Sequence, residues 1–446
     1  MTNVSNPGWD FKSRFHTTVR PAAIVMLCAV AALIGCKRQP AKPETVLRFA
    51  HSTTGGATKP VLDWACEEFG KQRSTPQLTV RVEQVTQQDE IYQKTGLAQL
   101  LQGGQPPDVF FEWAGWRVEE KARLGLAADL TAAVEKDGWK NDFLPKSWHQ
   151  TIYGGKYYMI PSSLSLSTLY WFNAKHFKQA GVEPPKTWDE MLASFAKLRA
   201  AGITPVGIGN TDLWPLGNWG ALIVSRWIGE EKYAAIMSLA PGSSFLDEDM
   251  VKAMELIARF HEMNLFNKGF MGVNAADAMQ GFLQGRSACH PLGEWLISDA
   301  QKDAPPGFEY DCFNLPPIAG GKGEQTSIMA LTTGHMVAAG TKNLDLAIEF
   351  LRWLSSAEVQ KRLCQAGNFS AVEGINTSDA AGPQLKRVMD IYSNAGSAIS
   401  PPDTGYNVQV ANHFYDAIAA TASGKLTARE ALELCEKRVQ PWREKK

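Results

Sequence analysis

The chain has 446 residues, 44% hydrophobic and 20% charged, which are the proportions of an ordinary soluble globular protein. Its 45 basic and 46 acidic side chains leave a formal charge of −1. No basic patch or like-charge block stands out, which argues against a nucleic acid partner. About 400 residues follow the amino-terminal segment, more than one hydrophobic core usually holds, so two lobes are expected.

Lys12, Arg14 and Arg20 precede an apolar run from Pro21 to Gly35. A charged leader, a short apolar core and a small residue before the cut make a secretory signal peptide of residues 1–35. The run of roughly 15 residues falls short of the ~20 that a spanning helix needs. Cys36 directly follows Leu33-Ile34-Gly35, an order that resembles a bacterial lipobox. The resemblance implies that Cys36 becomes a lipidated first residue. The chain is then exported and held at the periplasmic or cell-surface face of a membrane. Residues 36–44 are polar and bear Pro40 and Pro43, the composition of a spacer.

Strand and helix alternate through the first hundred residues of the body. Val46–Ala50 reads as a strand and Lys59–Lys71 as a helix with Val61, Leu62, Ala65 and Phe69 on one face. Leu78–Val85 is a second strand, Asp89–Leu101 a second helix and Asp108–Phe111 a short buried strand. This rhythm predicts an α/β fold with a parallel sheet flanked by helices. After about Pro161 a Ser-rich apolar stretch, Leu164–Phe172, gives way to helices. Met250, Val251, Met254, Ile257, Ala258 and Phe260 form one stripe of a long amphipathic helix. Helices are predicted at Ala275–Leu283, Glu294–Ala300, Leu344–Leu354 and Ala357–Cys364, with strands at Ser287–His290 and Tyr310–Asn314. A last helix, Thr427–Val439, opens with the Thr427/Glu430 spacing of a capping box.

Of seven cysteines, Cys28 lies in the signal and Cys36 takes the lipid. Cys66, Cys289, Cys312, Cys364 and Cys435 remain, an odd number without a Cys-x-x-Cys pair, and are read as buried free thiols. Export permits disulfides, and Cys289 with Cys312 is then the first pair to test. Hydrolase elbows, zinc motifs and phosphate loops are absent from the sequence, so no metal, cofactor or catalytic residue is expected. His261-Glu262 reads as a solvated helix edge.

Tryptophan is the unusual component, 14 in all. Glu112, Trp113 and Trp116 follow a predicted parallel strand at its carboxyl end, where open α/β sheets bind ligands. Trp214 and Trp219 sit among loop-forming residues, and Glu294-Trp295 follows Gly293. A sugar ring offers an apolar C–H face and a hydroxyl edge, which aromatic rings and neighbouring carboxylates suit. Trp64, Trp188, Trp227 and Trp353 lie in helical patterns and are read as core.

Gly155-Lys156-Tyr157 with Pro161, Leu169-Tyr170, Asn173, Ala180-Gly181 and Pro184-Pro185-Lys186-Thr187-Trp188-Asp189-Glu190 resembles the substrate-binding lipoproteins of ABC sugar importers, related to maltose-binding protein. Pro107-Asp108-Val109-Phe110, Phe282–Ala288 with Gly293-Glu294-Trp295, and Tyr310–Pro317 resemble further blocks of that family. The resemblance implies a two-lobed periplasmic-binding-protein fold, each lobe a mainly parallel sheet flanked by helices. The discontinuous lobes would be residues 45–165 with 331–366 and residues 166–330 with 367–446. Hinge crossings are expected near Ser165–Thr168, Met329–Thr332 and Gly367.

It also implies a monomeric receptor whose partners are a sugar or oligosaccharide, an ABC permease and, through Cys36, a membrane. Glu112, Trp113 and Trp116 would take the ligand first, with Trp214, Trp219, Glu294 and Trp295 closing on it and His51, Asp403 and Tyr406 as further contacts. Two other readings stand beside it. One is a lipid-anchored glycoside hydrolase using Glu112 and Glu294; the other is a receptor for peptides or polyamines.

Overall fold

A computed structural model describes residues 42–148, 150–377 and 382–444. The signal segment and Cys36 lie outside the described residues. Residues Glu44–Lys446 form one compact unit. No helix among the described residues is long and apolar enough to cross a membrane.

The larger sheet has six strands. Glu44–His51 lies between Thr79–Thr86 and Val109–Trp113 and runs parallel to both. Ile328–Val337 joins antiparallel to Val109–Trp113, and Ile160–Leu166 antiparallel to Ile328–Val337. Ala398-Ile399 pairs in parallel with Ile328-Met329. Leu47 and Phe49 are fully buried on the first strand, and Phe350 of the helix Leu344–Leu354 stands edge-on to Phe49 and to Phe69 of the helix Thr58–Arg73. The predicted Asp89–Leu101 helix exists, but its middle, Tyr92–Gly96, is a π-helical turn.

Only Ser167 and Thr168 separate Ile160–Leu166 from Leu169–Asn173, and the latter belongs to a second sheet with Cys289–Leu292 and Tyr310–Phe313. The Ser167 N–H donates to Met329 O at 2.8 Å, and Leu166 lies opposite Ala330, so the two segments expected to cross run side by side. Leu169–Asn173 pairs antiparallel with both neighbours and is the one reversed strand of a sheet whose other segments run the same way, as the mainly parallel sheet expected in each lobe requires. The reason is directional: Leu169–Asn173 leaves the junction, whereas the other two strands return toward it. Val206 adds parallel bridges to Phe266 and Cys289.

Beyond Gly367, where a third crossing is expected, the chain first stays with the larger sheet. Phe369 O accepts the Leu164 N–H at 2.8 Å, the Ala371 N–H donates to Ser162 O, and Val372 bridges Phe143. The chain is therefore still beside the larger sheet at Val372. The helix Pro383–Ser393 is already on the smaller one, where Gln384 Nε2 donates to Tyr310 O at 3.1 Å.

Among the described residues three buried clusters form: one around the smaller sheet and its helices, one on the larger sheet, and one that runs from the larger sheet to Leu169, Trp171, Leu292 and Cys312 of the smaller. Trp188 is buried, while Trp64, Trp227 and Trp353 pack half-buried against these clusters. Thr187 caps Trp188–Ala200, and Thr427 with Glu430 forms the predicted capping box. Cys66, Cys289, Cys312, Cys364 and Cys435 are all free and buried. Cys289 and Cys312 flank opposite edges of Leu169–Asn173, with a strand between them.

Candidate functional site

Val109–Trp113 carries Glu112 and Trp113 to the carboxyl end of the parallel strands. Trp113 stands opposite Thr333, and Thr333 opposite Ser163, whose hydroxyls are 2.7 Å apart. This row sets a half-buried indole beside two hydroxyl groups. The ring of Trp113 stands edge-on to Phe111 at 4.8 Å, and the Arg117 guanidinium lies 5.3 Å from its centroid. Arg117 is itself held: Nη2 donates to Gln93 Oε1 at 3.1 Å and Nε to Asp403 O at 3.3 Å. Gln93 in turn donates to Asp89 Oδ2 at 2.6 Å, so the π-helical turn aims a relay of polar side chains at the tryptophan. Burial raises the Asp89 carboxyl to about 6.

Trp116 opens the helix Trp116–Arg123 half-exposed, with Arg123 over its ring at 5.8 Å. Glu112 is fully buried; one oxygen pairs with Lys121 Nζ at 2.9 Å and the other accepts the Trp113 N–H at 3.1 Å. Glu112 thus anchors the loop from beneath.

Around the smaller sheet two tryptophans meet. Trp214 begins the helix Trp214–Ile228, where Pro215 suits the first turn and Leu213 ahead of it sits at φ +67°. A non-glycine residue at positive φ is costly, and such strain collects at functional sites. Asp212 fixes the turn by accepting the Ala275 N–H at 2.7 Å. Trp295 approaches from the end of Cys289–Leu292, its centroid 5.8 Å from that of Trp214. Both rings are half-exposed and form a tilted pair. A Cβ on Gly293 would stand 1.9 Å from the Trp295 ring, so only glycine lets the indole fold back.

Glu294 turns away from this pair. Its carboxylate accepts the Leu166 N–H at 2.8 Å and lies 3.1 Å from Ser165 Oγ, tying the Trp295 loop to the first crossing. Burial raises its pKa to about 7. Among the described residues no group of three or more His, Cys, Asp or Glu is placed to hold a metal ion.

The profile of the bacterial extracellular solute-binding protein family matches residues 52–361. The chain belongs to this family. It is similar to a multiple sugar-binding protein of Streptococcus mutans, 23% identical over 312 residues, which cover 68% of this chain and 70% of that one. An alpha-glucosides-binding periplasmic protein of Rhizobium meliloti is 25% identical over 350 residues, covering 73% of this chain and 74% of that one. Two solved structures share the fold. One comes from a study of xylan utilization by Caldanaerobius polysaccharolyticus, with a TM-score of 0.81 and 22% identity over 89% of this chain and 100% of that chain. The other is a chitin oligosaccharide binding protein, with a TM-score of 0.80 and 18% identity over 90% of this chain and 99% of that chain. The two-lobed α/β fold of this solute-binding protein follows from these likenesses.

Several sequence expectations for the solute-binding protein need correcting. Trp219 is 1% exposed, donates to the Tyr170 hydroxyl and packs edge-on against Phe260 and Phe266, so it is core. His51 is the last residue of the first strand, buried beside Phe49, with Nε2 2.9 Å from Gln84 Oε1; burial lowers its pKa to about 4. Asp403 is buried with Oδ1 3.1 Å from the Tyr415 hydroxyl, and burial raises its pKa. Glu112 and Glu294 serve as anchors, for the reasons above. Tyr406 remains half-buried, edge-on to Tyr233 at 6.1 Å. The polar relay Asp89–Gln93–Arg117 and the Ser163–Thr333 pair went unread, since nothing in their local spacing marks them.

Proposed function

We propose that this solute-binding protein is the receptor of an ABC importer, capturing a sugar or oligosaccharide between two closing lobes and delivering it to the permease. The observation that carries the proposal is the half-exposed Trp214–Trp295 pair. Its ring faces suit the C–H face of a sugar, while Trp113 with the Ser163 and Thr333 hydroxyls offers the same two kinds of contact on the larger sheet. The binding names carried by the relatives agree with this reading. The ligand contacts are then Trp113, Trp116, Trp214, Trp295 and Tyr406. A solute shifts the open–closed balance only by binding the closed form better, so aromatic surfaces on both lobes are what closure needs. The lobes are residues 45–165 with 331–377 and residues 166–330 with 382–444.

A thermal-shift panel tests this, because a ligand that binds the folded state raises the melting temperature by mass action. Maltotriose, raffinose, chitin oligosaccharides and xylo-oligosaccharides stand against polyamines and short peptides. A rise with one sugar class is expected; a rise with polyamines or peptides alone overturns the reading. Prolonged incubation with the same sugars should release no reducing ends. Glu112 and Glu294 are each engaged by protein donors, and a hydrolase needs two carboxyl groups free to face one bond.

The anchor is part of the proposal. Lipid on Cys36 holds the receptor at the membrane beside its permease, with residues 37–44 as slack. Several acyl chains make such an anchor stable where one does not. Cys36→Ser should move the protein from the detergent phase to the aqueous phase and leave its sugar preference unchanged.

A further inference from the structure

The helix Thr58–Arg73 begins without a cap of its own, since Ala57 at the N-cap position has no side chain that accepts a hydrogen bond. Its first donors are met from 240 residues away. The Ala57 N–H donates to Ser298 O at 2.9 Å and the Thr58 N–H to Ser298 Oγ at 3.0 Å. The Thr58 and Ser298 hydroxyls are 2.9 Å apart, and Asn368 Nδ2 donates to Thr58 Oγ1 at 2.8 Å. Ser298 is buried and stands three residues beyond Trp295, in the helix Leu296–Asp303.

Two glycines make room for this approach. A Cβ on Gly56 would lie 2.6 Å from Ser298 Oγ, and one on Gly367 would lie 2.7 Å from Ile297 Cγ2; both residues also sit at positive φ. The partners come from different sheets. The Thr58–Arg73 helix rests on Thr79–Thr86 of the larger sheet, where Ser74 just beyond its end bonds Val80. The Leu296–Asp303 helix continues from Cys289–Leu292 of the smaller one.

We propose that Ser298 is a closure latch. It is an affinity-determining residue that touches no solute and caps the Thr58–Arg73 helix only when the lobes are shut. The proposal rests on the two-lobed receptor reading. In the open form the two N–H groups turn to water, so each closure exchanges hydration for a cap supplied by the segment that carries Trp295. The latch therefore biases the protein toward the closed form before any solute arrives. The cap's ordinary worth corresponds to a change of about fivefold in the closed-to-open ratio.

Small-angle scattering on the solute-free receptor tests this. Ser298→Ala is expected to increase the radius of gyration and to speed amide hydrogen exchange at Ala57 and Thr58. Ser298→Thr, which keeps the hydroxyl, should restore both. Thr58→Val approaches the same contact from the other side and should also open the molecule if Ser298→Ala fails to fold. A purely structural cap would speed local exchange and leave the radius of gyration unchanged, and that result overturns the latch. No sugar enters the experiment, so its failure and the failure of the sugar screen are read separately.

Discussion

Trp214 and Trp295 meet with ring centroids 5.8 Å apart and planes inclined by 59°. One opens a helix behind a strained Leu213, and the other folds back over Gly293, so each is set by a different backbone device. Trp295→Ala should weaken binding of the sugar found in the thermal-shift panel by roughly thirtyfold, about 2 kcal/mol, in isothermal titration. Trp219→Ala should leave the affinity of the folded protein unchanged and lower its stability by about 3–5 kcal/mol, because that ring fills the core. The reverse pattern would remove the pair from the site.

Glu294 predicts a pH dependence of stability. Its pKa in the folded protein is about 7, above the ordinary 4.5 for a glutamate, so folding favours its protonated form. That contribution is complete below about pH 4.5 and is lost as pH rises through 7. Glu294→Gln is neutral throughout and escapes the loss. In chemical denaturation the variant should gain roughly 3 kcal/mol on the parent between pH 4.5 and pH 8. An equal difference at both pH values would show that Glu294 does not titrate in this range.

Gln93 bridges Asp89 and Arg117, and Arg117 lies over Trp113. Gln93→Ala removes both hydrogen bonds without touching the ring. It should lower stability by about 1 kcal/mol and weaken sugar affinity severalfold through a misplaced Trp113. The Gln93 bond holds the Asp89 carboxyl down against burial, so in the variant that carboxyl should titrate above its present value of about 6, as carbon NMR would record.

The five free thiols should be silent in the native protein. Burial pushes Cys66 up to about 12 and raises Cys289, Cys312, Cys364 and Cys435 as well, so little thiolate exists at neutral pH. Peptide mapping after maleimide treatment should find these cysteines unlabelled in buffer and labelled in guanidinium. Native labelling at any of them would place it at an accessible surface.

Periodicity made most helices and the opening parallel strands legible, because burial of one face writes itself into residue spacing. The one reversed strand of the smaller sheet, Leu169–Asn173, was hidden, since Leu164–Phe172 is apolar throughout and carries no sign that the chain passes between two sheets within it. The same limit applied to single residues. Trp214 and Trp219 share one glycine-rich neighbourhood, yet a helix carries the first to a half-exposed junction and the second into the core. Glu294 was legible as important from its place between Gly293 and Trp295. Its direction was not, because its partners Ser165 and Leu166 lie far upstream.

The strand Ile328–Val337 lies between Val109–Trp113 and Ile160–Leu166, and neither of those earlier strands can complete its hydrogen bonds without it. Until that late segment emerges, the first half of the chain has open strand edges and no finished core. Pairings across so long a loop form slowly. A sheet completed this late lengthens the interval in which a polypeptide can still be threaded across a membrane.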